Sequence, residues 1–115
     1  MSDIQRYRII YTESAVADME EKADYITFQF QEPSLAEQWY LRLREKIHEN
    51  LTTFPSKFPV YDMEPWSRKG IRFFTARNDV ILYSVDTDSS VVYVWAVCTK
   101  GRDLAARLQT SDIEI

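Results

Sequence analysis

The chain of 115 residues has few of the residue types from which metal, cofactor and nucleotide sites are most often built. Its two glycines, Gly70 and Gly101, leave no glycine-rich loop of the kind that cradles phosphates. Its one histidine, His48, has no cysteine or carboxylate at a metal-ligand spacing. Its one cysteine, Cys98, has no internal disulfide partner, which fits a reducing cytoplasm. We therefore expect no metal, no cofactor and a cytoplasmic location.

Long apolar runs are also missing. There is no N-terminal apolar segment that would indicate secretion and no run long enough to span a membrane, so we expect no membrane association. A hydrophobic content of 45% and an aromatic content of 14% exclude a disordered chain. The length predicts a single domain over residues 1–115, with a core over about 7–108. Cys98 ends an apolar run and is expected to be a small buried side chain.

The net charge of −4 conceals an asymmetry along the chain. Residues 1–65 hold twelve acids and seven bases, whereas residues 66–110 hold four acids and seven bases. The bases of the second segment are Arg68, Lys69, Arg72, Arg77, Lys100, Arg102 and Arg107. They form either a patch that meets phosphates or an acidic protein, or a solvated sheet edge that charge protects from aggregation. A pI near 5.0 argues against a dedicated nucleic-acid binder.

The hydrophobic pattern predicts the element order β-α-α-β-β-β. A strand over 7–11 is followed by a helix capped by Thr12 or Ser14. Pro33 suits the first turn of a second helix. The apolar stripe of the first helix consists of Ala15, Met19, Ala23, Ile26 and Phe30, and that of the second of Ala36, Tyr40, Leu43, Ile47, Leu51 and Phe54.

The second half of the chain reads as a loop and a three-stranded meander. Phe58, Val60 and Tyr61 are expected to hold the loop over 55–65 against the core. Strands are predicted over 71–75, 80–85 and 91–97, with polar turns at 77–79 and 86–90 and a short helical pattern over 104–108. The expected fold is α+β, with a helical hairpin packed on one face of a small, mostly antiparallel sheet.

No catalytic constellation emerges from the residues themselves. His48 is expected to be an ordinary, partly exposed helix residue, and Glu20, Glu21 and Asp24 fall on the polar side of the first helix. Metal-free RNA cleavage requires a general base, a cation and a general acid. Lysine and arginine supply the cation, but Tyr83 lies within an apolar strand and is expected to face the core. The proton donor and acceptor are therefore missing.

Several short motifs, taken in order, carry a resemblance to a known family. They are the step Gly70-Ile71-Arg72 into the second strand, the run 81–85 in the third, and a last strand that leads to Arg102-Asp103-Leu104. In this order, and with the long helical hairpin, the chain resembles the RelE/ParE superfamily over about residues 7–108. Its members are the toxins of bacterial type II toxin–antitoxin modules, also called plasmid stabilisation systems.

The RelE-like branch consists of ribosome-dependent mRNA interferases, which are endoribonucleases. These toxins place an arginine at the start of the third strand and an aromatic residue near the C terminus, where this chain has Val80 and Ala106. Resemblance to this branch implies catalytic contacts from Arg68, Lys69, Arg72, Arg77, Lys100 and Arg102. This activity remains an alternative, as does an inactive relative retained for partner binding.

ParE-like toxins carry no nuclease chemistry but bind DNA gyrase, trap it on cleaved DNA and block replication. Their last strand commonly ends in a histidine, which is followed by an Arg-Asp pair and an apolar helical turn. Here Thr99 stands at the histidine position, while Arg102, Asp103 and Leu104 follow the pattern. The resemblance is therefore closer to the ParE-like members and implies a gyrase inhibitor without catalysis of its own.

The resemblance also implies a partner, a cognate antitoxin with a disordered half that folds on binding. The chain then forms a hetero-oligomer with the antitoxin, or a homodimer when it is free. We expect partner-binding roles for Arg72, Arg77, Lys100, Arg102 and Asp103. Arg102 and Asp103 either brace the strand end, by pairing with each other or with Arg72, or contact a target directly.

Overall fold

The computed structural model describes residues 5–101 and 104–109. The described elements follow the predicted order, and the predicted helical pattern near the C terminus forms a short helix. They are β1 (Arg8–Tyr11), α1 (Glu13–Phe30), α2 (Pro33–Leu51), a single 3-10 turn (Pro55–Lys57), β2 (Arg72–Ala76), β3 (Asp79–Asp86), β4 (Val91–Thr99) and α3 (Leu104–Gln109).

The strands form one sheet in the order β1-β4-β3-β2. The β2–β3 and β3–β4 pairs are antiparallel, whereas β1 runs parallel to β4, since the helical hairpin and the meander lie between them. The register jumps from Leu82 opposite Ala96 to Tyr83 opposite Val94, which leaves Trp95 as an extra residue. This bulge places Trp95 and Ala96 in the same apolar cluster. The predicted α+β fold with a mostly antiparallel sheet is confirmed.

The helical hairpin covers one face of the sheet. The Thr12 side chain accepts a hydrogen bond from the Ala15 backbone N–H at 3.2 Å, and Gln31 in the left-handed region ends α1. Pro33 occupies the first turn of α2, as predicted. The core on this face is built from Ala15, Met19, Leu43, Ile47, Leu51, Ile81, Tyr83, Val92 and Val94.

The segment before β2 and the helix α3 cover the opposite face. Trp66, Ile71 and Leu108 pack there with Leu82, Ala96 and Cys98, so Cys98 is buried as predicted.

The proline-rich loop is held against the core on the side of the helical hairpin, as predicted. Phe58 of this loop stacks on Phe74, with ring centroids 5.0 Å apart.

Three local predictions are wrong. Phe30 does not belong to the buried face of α1, because its side chain is 61% exposed at the end of that helix. Phe54 does not extend the apolar face of α2, because that helix ends at Leu51 and Phe54 turns the chain into the 3-10 turn with φ of 52°. Its side chain is 69% exposed. Asp79 is not part of a solvated turn but the first residue of β3, where it is 4% exposed. Within the described residues, no helix has the length and apolar character needed to cross a membrane.

Candidate functional site

The β2–β3 turn and the end of β4 meet at one end of the sheet. The backbone N–H of Lys100 donates a hydrogen bond to the carbonyl of Asn78 at 2.8 Å, and Asp79 pairs with Thr99 in the ladder. The exposed side chains of Arg77 and Lys100 therefore belong to the same end of the molecule. The structure thus brings together two of the five residues for which a partner-binding role was predicted.

A buried polar network lies directly beneath this end. The Asp79 carboxylate accepts hydrogen bonds from the Lys22 ammonium and from Trp39 Nε1, the latter at 2.9 Å. Lys22 also donates to Thr99 Oγ1 at 3.1 Å, and its Nζ lies 5.4 Å from the centroid of the Trp39 ring. The network joins α1, α2, β3 and β4 and fixes the position of the sheet end.

A small groove of about 70 Å³ opens between α2 and the end of β2. It is lined by Trp39, Arg42, Leu43, Lys46, Ala76, Arg77 and Asp79. Lys46 pairs with Glu49 at 3.3 Å, whereas no acidic side chain among the described residues forms a salt bridge with Arg42, Arg77 or Lys100. We call these three cations the basic end. An apolar floor with a cationic rim suits an amphipathic ligand of negative charge.

Arg72 lies at the far end of β2 and has a role inside the molecule. Its Nη1 donates a hydrogen bond to the Phe58 carbonyl at 2.6 Å, and its side chain is half-buried. The Tyr83 hydroxyl donates to the Pro55 carbonyl nearby in the chain. Both bonds hold the proline-rich loop against the sheet. The partner-binding role of Arg72 stays a prediction.

Of the six bases named for a nuclease, the five that the structure describes do not form one cluster. Arg68 pairs with Glu64 at 3.2 Å in the segment before β2, where the half-buried Lys69 also lies. Arg77 is five residues beyond Arg72, which corresponds to roughly 17 Å of extended chain. Because the Arg72 guanidinium is held at Phe58, the two groups of bases do not converge on a single phosphate.

The groups with acid–base chemistry do not complete such a site either. Burial raises the pKa of Tyr83, so the phenol, which is fully enclosed, stays protonated near neutral pH. His48 is exposed and lines a separate open groove of about 400 Å³ between β1 and α2, together with Tyr11 and Arg44. No group of three or more histidine, cysteine or carboxylate side chains gathers at one point in the described part of the chain.

Arg102 and Asp103 lie outside the described residues, but the helix that follows them is anchored. The Arg107 guanidinium holds the Asp18 carboxylate through Nε at 2.8 Å and Nη2 at 2.7 Å. Asp18 also accepts from the backbone N–H of Val97 at 2.9 Å. The charge of Arg107 is therefore satisfied within the molecule, between α3, α1 and β4.

With this geometry established, comparison with known proteins decides the family. The family model described as the ParE toxin of type II toxin–antitoxin systems, parDE, matches residues 9–104. The chain belongs to this family. The resemblance to the RelE/ParE superfamily is confirmed.

Two solved structures from toxin–antitoxin systems share the fold of this family member. A chain of the chromosomal ParDE system from P. aeruginosa superposes with a TM-score of 0.67 at 15% identity, covering 84% of this chain and 98% of that one. A chain of the RelBE2 toxin–antitoxin complex from Mycobacterium tuberculosis gives a TM-score of 0.65 at 15% identity, covering 87% and 98%. A search of curated protein sequences gives no match.

Proposed function

We propose that this ParE-family toxin arrests bacterial growth by binding DNA gyrase, without catalysis of its own, and that a cognate antitoxin neutralises it. One observation favours this function over RNA cleavage: the described bases that a nuclease would use are divided between the two ends of β2. Arg72 is engaged with Phe58 and Arg68 with Glu64, while Tyr83 is enclosed and protonated. A protein inhibitor requires none of these groups to converge.

The basic end is the surface that suits the antitoxin. Arg42 and Arg77 line a groove with an apolar floor at the end of edge strand β2, and Lys100 lies beside the same turn, so an acidic amphipathic helix or an added strand finds both charge and apolar contact there. Arg102 and Asp103, which follow Lys100 closely in the sequence, keep their proposed partner-binding role. The toxin–antitoxin complexes among the structural neighbours and the family match support a hetero-oligomer of this kind.

An mRNA interferase remains the second candidate, because Arg77 and Lys100 are exposed cations that suit a phosphate backbone. In that case Arg68, Lys69, Arg72 and Arg102 would have to contact different phosphates of one RNA. An inactive relative that only binds an antitoxin is the third.

Induction of the protein in bacteria separates these functions. The proposal predicts that DNA synthesis stops and that gyrase-linked DNA breaks accumulate, while translation continues at first. Co-expression of the antitoxin restores growth. Arrest of translation with mRNA cut at ribosomes would instead establish the interferase, and normal growth at high expression would establish the inactive relative.

A further inference from the structure

The end of the helical hairpin leaves three aromatic side chains in solvent. Tyr25 is 61% exposed, Phe28 is 81% exposed and Phe30 is 61% exposed. The buried residues of α1 are Ala15 and Met19, so the part of the helix from residue 20 onward adds nothing to the buried core. At about 200 Å² for each aromatic side chain, the three leave roughly 400 Å² of aromatic surface. Tyr25 and Phe28 together account for roughly 280 Å² of it, and contiguous exposed apolar patches of about this size on a monomer are often functional.

The spacing gathers two of these rings on one side of α1. Tyr25 and Phe28 are three residues apart, and Glu21 and Asp24 each lie four residues before one of them, so all four share the outer helix face. Phe30 and Glu32 follow at the hairpin turn. We call these six residues the hairpin tip. Its rings are thus bordered by carboxylates.

Pairing within the molecule leaves the tip acidic. Residues 20–38 contain five acids, and Lys22 is their one base. The Lys22 ammonium is directed toward Asp79 and Thr99, where it forms the network beneath the basic end. No described cation forms a salt bridge with Glu21, Asp24 or Glu32.

This charge narrows the kind of partner that fits. Phosphate backbones and anionic lipid headgroups have the same sign as the carboxylates and are repelled. A second copy of the chain, paired by a twofold axis through the tip, would bring two acidic borders together. A protein with an apolar contact area bordered by lysine and arginine meets both requirements, since aromatic anchors and complementary charge are the usual elements of such interfaces.

We infer that the hairpin tip is a second docking surface, which takes a protein whose apolar contact area is bordered by basic residues. This surface is separate from the basic end and has the opposite charge preference. The inference goes beyond the proposed function, because it does not depend on gyrase being the target.

The test uses the full-length protein and two amphipathic helical peptides, one of leucine and lysine and one of leucine and glutamate. We expect the lysine peptide to bind, and its Kd to rise about tenfold in the double variant Tyr25→Ser, Phe28→Ser. Phe54→Ser is the matched control, because Phe54 is an exposed aromatic residue, 69% accessible, away from the tip. Its Kd for the lysine peptide should equal that of the unmodified protein. Any binding of the glutamate peptide belongs to the basic end and should be the same in the double variant as in the unmodified protein.

The double variant leaves every charge in place, so a loss of affinity reports the rings rather than the acidic border. Circular dichroism and the single variant Phe28→Ser verify that the fold is retained. Equal affinity for the lysine peptide in all proteins, or an equal loss of glutamate-peptide binding in the double variant, would overturn the inference. A self-association seen by sedimentation in the unmodified protein and lost in the double variant would assign the tip to a second copy and also overturn it.

Discussion

The basic end and the hairpin tip are two exposed regions of one small domain, and they are built in opposite ways. The basic end stands on a buried network in which Asp79 binds Lys22 and Trp39. The tip stands on a stretch of α1 from which no residue is buried, and it exposes rings instead of cations. The comparison teaches that a net charge of −4 says little about what this protein binds, because its charges are segregated.

Lys22 connects the two regions. It is three residues before Tyr25 on α1, yet its ammonium reaches Asp79 and Thr99 at the sheet end. One side chain therefore stabilises the basic end and at the same time removes the cation that would neutralise the tip. Substitutions can test this division, beginning with the largest expected effect.

Asp79→Ala should have the largest effect, because it leaves the Lys22 ammonium and Trp39 Nε1 without their buried acceptor. We expect a loss of roughly 3 kcal/mol in the free energy of unfolding. This value is at the lower end of the range for broken buried ion pairs, because the Lys22 side chain is 20% exposed and water partly compensates its charge. Chemical denaturation measures it. Asp88→Ala, an exposed control, should change this energy by less than about 0.5 kcal/mol. A loss below about 1 kcal/mol would show that the network does not support the basic end.

Reversal of two charges at the basic end, Arg77→Glu with Lys100→Glu, should weaken antitoxin binding at least about tenfold. It should also reduce the dependence of the affinity on salt, because two attractive contacts become repulsive. Calorimetric titration measures both effects. The matched control reverses the exposed residues Arg6 and Arg68 to glutamate, with the same change in net charge, and should bind as the unmodified protein does. Equal weakening in the control would show that antitoxin binding responds to net charge and does not depend on the basic end.

Arg107→Gln tests the anchor of α3, the helix that follows β4 in the chain. The two side chains of the Arg107–Asp18 pair are 18% and 16% exposed, so we expect a loss of about 1 to 2 kcal/mol in the free energy of unfolding. The amide of Val97 should keep its bond to Asp18, and its hydrogen exchange should change little. Arg42→Gln, which removes an exposed guanidinium, serves as the control. Stability equal to that of the control would mean that α3 is held by apolar packing alone.

The smallest stability effect is expected at the tip. Tyr25→Ser with Phe28→Ser should change the free energy of unfolding by less than about 0.5 kcal/mol, because neither ring is buried. Met19→Ala, in the same helix but 2% exposed, should cost about 2 to 4 kcal/mol. Thermal and chemical unfolding compare the two. A large loss of unfolding free energy in the Tyr25 and Phe28 variant would show that these rings stabilise the fold. The contrast between the tip and the basic end would then not hold.

The element order and the helical hairpin could be predicted because periodicity and capping are local signals. Thr12 and Pro33 mark helix ends by their own chemistry. The placement of Phe54 on α2 was wrong because an apolar residue at helical spacing does not reveal that the helix has already ended. The placement of Asp79 in a solvated turn was wrong because an acid beside Asn78 is typical of a turn. Only the tertiary structure supplies the cation, Lys22, that permits the burial of Asp79.

The site could be predicted only in part, because its main contacts join residues that are far apart in the sequence. Arg77 and Lys100 were recognised as exposed bases, and the register of β3 with β4 brings them together. The pair of Lys22 with Asp79 spans 57 residues and that of Arg107 with Asp18 spans 89, so no spacing rule points to either. Phe30 continues the apolar stripe of α1 in the sequence, and no spacing rule shows that the buried part of this stripe ends at Met19.

A gyrase assay with purified components tests the central claim most directly. Plasmid DNA, gyrase and this toxin are combined, and the linear DNA left after removal of protein is measured. The account predicts that linear DNA accumulates only when gyrase and toxin are both present. Prior addition of antitoxin should prevent this for the unmodified toxin but not for the variant with reversed charges at Arg77 and Lys100. No linear DNA at any toxin concentration, from a protein that cuts ribosome-bound mRNA, would contradict the account.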